Sequence, residues 1–119
     1  MGQISLPEVD GLLKKFFEEQ TPLIAFFFSP SGARVKLPSF VAGATREAGL
    51  FLTPFGRSNT EANAYINVRP FDRECDFWYG EVLEMPEEER ARFAETYGES
   101  VLLFRFLESG EAFALYFTV

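Results

Sequence analysis

Residues 23–28, "LIAFFF", constrain this chain more than any other stretch. Six residues are too few for an independent helix, and a strand with one wet face would alternate apolar and polar side chains. This run does not alternate. It reads as a central strand buried on both sides.

The segment before it reads as a helix. "SLPE" places Ser5 at the N-cap and Glu8 three residues later, the spacing of a capping box. Pro7 falls in the first turn, where its missing N–H does no harm. Val9, Leu12, Leu13, Phe16 and Phe17 recur at i, i+3, i+4, i+7 and i+8, one apolar stripe. Lys14, Lys15, Glu18 and Glu19 take the wet face, and Pro22 closes the region.

After the central strand, "SPSG" (29–32) is turn chemistry. "ARVKL" (33–37) alternates, and Pro38 limits it to an edge or a bend. "SFVAGAT" (39–45), "GLFLT" (49–53) and "AYINV" (64–68) are strand-like, and "PFGRSNTEAN" (54–63) is the longest polar loop. "RPFDRE" (69–74) makes a turn. "CDFWYGEVLEM" (75–85) reads as an aromatic strand with Gly80 at a bulge or close approach. Pro86 opens a second helix with acids in its first turn, Gly98 as its cap, and Phe93, Ala94 and Tyr97 as its buried stripe. "SVLLFRFL", the turn "ESGE" and "AFALYFTV" make a closing hairpin. The alternation of Ala112, Ala114 and Tyr116 with Phe113, Leu115 and Phe117 argues for a packed strand rather than a free peptide ligand. The expected fold is α+β over one domain, 1–119: a small, strongly bent antiparallel sheet or open barrel, an N-terminal amphipathic helix, and a second helix before a C-terminal hairpin.

Composition then narrows the function. The chain has 119 residues, 15 of them phenylalanine. A chain of this length buries about 65% of the surface it would expose unfolded, so some aromatic surface is expected to meet a partner, a second copy included. The net charge is −7; residues 1–60 carry six basic and five acidic side chains, and residues 61–119 carry five and thirteen. An acidic half repels phosphates, which argues against nucleic acid and anionic membranes. No apolar run reaches the roughly 18 residues of a membrane span. No signal peptide is visible, and "MGQISL" has Leu6 where an acylation signal has Ser or Thr. One cysteine makes no intramolecular disulfide, so the expected compartment is the cytoplasm.

The chain has no histidine, which removes Ser-His-Asp and Cys-His catalysis and every histidine-containing metal site. One cysteine builds no structural zinc or iron–sulfur site. "DRECD" sets Asp72, Glu74 and Asp76 at i, i+2 and i+4, one face of a strand, but without the glycine and spacing of a calcium loop. Cys75, flanked by two acids, lacks the cationic neighbours of a reactive thiol. Adjacent Trp78 and Tyr79 face opposite ways on a strand, one toward the core and the other outward or over the second helix. "SPSGAR" and "TPFGRSN" match no phosphate loop.

Two resemblances accompany this reading. "ATREAGLFLT" (44–53) followed by "YGEV" (79–82) resembles the middle of a PilZ domain, a bacterial barrel that binds cyclic di-GMP. Gly49 agrees with that family's motif, whereas Ala44 and Arg46 stand where it has an acid and a serine. "LLKKFFEEQTPLIAFFF", "VKLP" and "GLFLTP" are similar to stringent starvation protein B, an Sm-like adaptor that passes tagged peptides to a protease. That likeness implies a barrel dimerising through its first helix.

The leading expectation is a non-catalytic protein- or peptide-binding adaptor, a homodimer, with no cofactor and no metal; an exposed edge near Pro38 is one candidate surface. A second is a PilZ-like regulatory barrel holding a small anion among Arg57, Arg69 and Arg73, beside Trp78 and Tyr79. A third is an enzyme using carboxylates alone, Asp72 or Asp76 with Glu81.

Overall fold

In a computed structural model of the chain, residues 2–31, 34–45, 49–54, 66–68, 74–85, 87–92 and 98–118 are described. Residues 23–28 form the expected central strand. The described strands are β1 (Gly2–Ile4), β2 (Leu23–Phe28), β3 (Arg34–Thr45), β4 (Gly49–Pro54), β5 (Ile66–Val68), β6 (Cys75–Glu81), β7 (Ser100–Phe106) and β8 (Ala112–Phe117). They make one antiparallel sheet in the order β1-β6-β7-β8-β2-β3-β4-β5. Its edges are β1 and β5, so the sheet is open. Helix α1 (Leu6–Glu19) precedes β2, and a 3-10 turn (Val82–Glu84) and α2 (Glu87–Arg92) precede the β7–β8 hairpin. This is the expected α+β arrangement.

β2 pairs with β3 on one side and β8 on the other. Its alternate side chains divide between two cores. Leu23, Ala25 and Phe27 join α1's Val9, Leu13 and Phe16; Ile24, Phe26 and Phe28 join Val82, Met85, Leu103 and Tyr116 on the opposite face. A sheet covered on both faces hides far more aromatic area than a half-wet one. Of the phenylalanines whose side chains are described, Phe17 alone is exposed. The expected aromatic contact surface is therefore not found among the described residues. Register explains where the rings go. Phe27, Phe113, Phe104 and Phe77 are direct cross-strand partners in turn. Their ring centroids lie 4.5, 5.4 and 5.6 Å apart, an aromatic row across four strands.

Helix α1 starts as its sequence demands. The Ser5 backbone N–H donates to Glu8 Oε2 at 3.0 Å. Val9, Leu13 and Phe16 are buried and Leu12 half-buried, and the helix packs over β3. Phe17 departs from the expected stripe, at 43% exposed. Eight residues after Val9, at about 100° per residue, it is rotated roughly 80° to the flank. Gln20 ends the helix in the left-handed region, at φ 51°, and the Thr21 N–H donates to the Phe16 carbonyl at 3.1 Å.

Several boundaries differ from the sequence reading. The three-residue edge strand β1, which pairs Gln3 with Trp78, was not expected; it is too short for any periodicity to show. Residues 34–45 form one strand through Pro38 rather than two. Among the described residues pairing with β4 begins at Ser39, so no described β4 residue calls on an N–H from Pro38. The bulge lies between Val41 and Gly43, not at Gly80, where β6 keeps unbroken register with β7. β6 ends at Glu81; the Val82 N–H extends the β6–β7 register by one bond, donating to the Glu99 carbonyl at 2.8 Å, before the 3-10 turn begins. The proposed 93–97 stripe of α2 and most of the 54–63 loop lie outside the described residues.

Candidate functional site

Arg57, Arg69, Arg73 and Asp72 lie outside the described residues. Trp78 and Tyr79 do point to opposite faces. Tyr79 turns toward α1 and stacks on Phe117, centroids 6.0 Å apart. Trp78 packs against the second core, with the Arg105 guanidinium carbon 5.0 Å from its ring centre. The two rings do not share a site. Asp76 and Glu81 do not converge either: five residues of strand separate them by roughly 17 Å, on opposite faces. Cys75 is half-buried beside the first core, its Sγ 3.5 Å from the Asp76 carbonyl oxygen.

A polar cluster has formed instead on the Trp78 face. Register sets Asp76 directly opposite Arg105. Arg105 Nη2 donates to Asp76 Oδ2 at 2.9 Å, and Nη1 donates to Glu89 Oε1 at 3.5 Å. Gln3 Nε2 from β1 adds a bond to Asp76 Oδ1 at 3.3 Å. The sequence reading put acids in the first turn of the second helix, outside its expected buried stripe of Phe93, Ala94 and Tyr97; one of them, Glu89, is 2% exposed. The signal that points to it is Arg105 itself. An arginine inside "VLLFRF", on a strand buried on both faces, needs an acid brought to it from outside the strand. The cation occupies the space between the carboxylates. Among the described residues, no three His, Cys, Asp or Glu side chains are placed to hold a metal ion.

The second feature is an apolar cleft at the end of the sheet. The β2–β8 ladder stops at Ile24↔Tyr116. Beyond it Pro22 has no N–H to offer, and the Phe117 carbonyl is engaged by the Glu99 N–H at 3.2 Å. The strands part around a cleft of about 260 Å³ lined by Pro22, Leu23, Ile24, Gly98, Tyr116, Phe117 and Thr118. None of these side chains is charged. Nothing in the sequence reading anticipated it, because it arises from one ladder ending early.

Ser39, opposite Leu23 in the β2–β3 ladder, is wholly buried, and its Oγ has no hydrogen-bond partner. A buried hydroxyl without a partner opposes folding. Ser39→Ala is expected to raise stability by about 1 kcal/mol, read as a higher urea midpoint with an unchanged slope; a lower midpoint would contradict the assignment.

Comparison with protein-family models, curated proteins and solved structures finds no match. Among the described residues no helix is long and apolar enough to cross a membrane.

Proposed function

We propose that this chain is a cytoplasmic, non-catalytic protein- or peptide-binding module that seats an apolar side chain of its partner in the cleft between Pro22 and Thr118. The observation that carries this reading is the cleft's size and lining. At about 260 Å³ it is smaller than the roughly 300–1,000 Å³ of most small-molecule pockets. It is of the scale of one large side chain, and an apolar anchor in a fitted pocket is the usual centre of a protein contact. Among the described residues its lining offers a ligand no ion pair.

Selection of a displayed random-peptide library on the immobilised chain tests the reading. The enriched peptides are expected to share an apolar anchor residue. They should lose about tenfold in affinity when the exposed Thr118 is changed to arginine, which sets a hydrated charge in the mouth of the cleft. No enrichment, or peptides indifferent to Thr118→Arg, would refute it. Sedimentation velocity tells whether the partner is a second copy: a concentration-dependent dimer lost in the same variant assigns the contact to self-association.

A further inference from the structure

The cleft's main chain says more about its occupant than its side chains do. Along an antiparallel strand, successive residues aim their N–H and C=O groups at alternate neighbours. The Phe117 carbonyl is turned toward the start of β7, where it accepts from the Glu99 N–H at 3.2 Å. Thr118 is therefore the residue that turns its main chain toward β2. Continuing the register from Ile24↔Tyr116 by two residues sets Thr118 against Pro22. Proline has no N–H, so the pair cannot form its return bond. Among the described residues, Thr118 makes no backbone hydrogen bond. It is exposed, and it lines the cleft beside Leu23, Ile24 and Tyr116.

We propose that the occupant is an extended peptide main chain whose N–H donates to the Thr118 carbonyl, in the place of the donor Pro22 lacks, with the neighbouring apolar side chain in the cleft. The proposal rests on the peptide-binding reading above and adds its mode: a short β-type pairing at the end of a strand rather than simple apolar burial. A fatty acid or other aliphatic ligand would use the same lining and leave that carbonyl unpaired.

The probe is a peptide from the display selection, remade with a single N-methyl group at each position in turn. One position near the anchor is expected to weaken binding about fivefold to tenfold, the effect of one hydrogen bond. Pro22→Ala supplies the missing donor from within the chain. It is expected to weaken the unmodified peptide by a similar factor and to abolish the sensitivity at that N-methyl position. The scan uses the unaltered protein and so stands even if Pro22→Ala folds poorly. Equal affinity across the scan overturns the main-chain pairing while leaving the apolar-anchor reading in place. A selection that yields no peptide, or aliphatic ligands alone that saturate the cleft, removes both.

Discussion

Replacing Gly98 with alanine is expected to destabilise the protein by about 2–4 kcal/mol, the combined effect of a strained backbone and a steric overlap. Gly98 has φ +83°, a conformation that an L side chain enters at a cost of roughly 1–2 kcal/mol. A Cβ there would also lie 2.8 Å from the Phe117 carbonyl oxygen, 3.0 Å from its carbon and 3.2 Å from its nitrogen. All three are backbone atoms of β8, a strand buried along its whole length, so they cannot swing aside as a side-chain tip would. Moving them also strains the Glu99–Phe117 bond. Gly11→Ala is the matched control. Gly11 lies inside α1 with nothing within 4 Å of an added Cβ, so alanine should stabilise by about 0.5–1 kcal/mol. Urea denaturation of both variants reads the difference; equal midpoints would refute the close approach at Gly98.

The second large effect is expected at Arg105. Changing it to methionine keeps much of the side chain's bulk and removes the cation between Asp76 and Glu89. Asp76 retains 24% of its side-chain surface in contact with solvent and can hydrate. Glu89, at 2%, cannot. Losing the Arg105 contact removes part of what offsets the burial of the Glu89 carboxylate, and Arg105→Met should lose about 2 kcal/mol, the range of a hydrogen bond to a charged group. The double variant Arg105→Met with Glu89→Met should recover most of that loss, because an apolar pair of similar size replaces a desolvated ionic one. A strictly additive double variant, worse than either single change, would show that Glu89 and Arg105 do not act together. The cluster is read as structural: it ties β1, β6, β7 and α2 through Gln3, Asp76, Arg105 and Glu89.

These two sites show where sequence reading succeeds and where it stops. Helix α1 was legible from its helical period, the closing hairpin from its alternation and turn residues, and residues 23–28 from an unbroken apolar run too short for a helix. Gly98 was expected to cap the second helix, whose end lies outside the described residues; its contact with Phe117 had no sequence signal. That contact depends on the β7–β8 register, which brings Phe117, 19 positions on in the chain, back against Gly98. Glu89 was misplaced because three consecutive acids look like a solvated helix start, and only a basic residue across space makes one of them a buried partner. The candidate cleft had no signature at all, since Pro22 and Thr118 are 96 positions apart in the chain.

The amino-acid sequence by itself determined the local grammar: a doubly buried central strand, a capped amphipathic helix, a terminal hairpin, and a chain without histidine. Each follows from side-chain chemistry within about ten residues, where backbone geometry alone sets the spacing. Only the tertiary structure decided that the phenylalanines form a row across four strands, that Glu89 turns inward to Arg105, and that β2 and β8 part at Pro22. These are pairings between distant segments. Their free energy depends on which strands become neighbours and in what register, and no short window of sequence contains that choice.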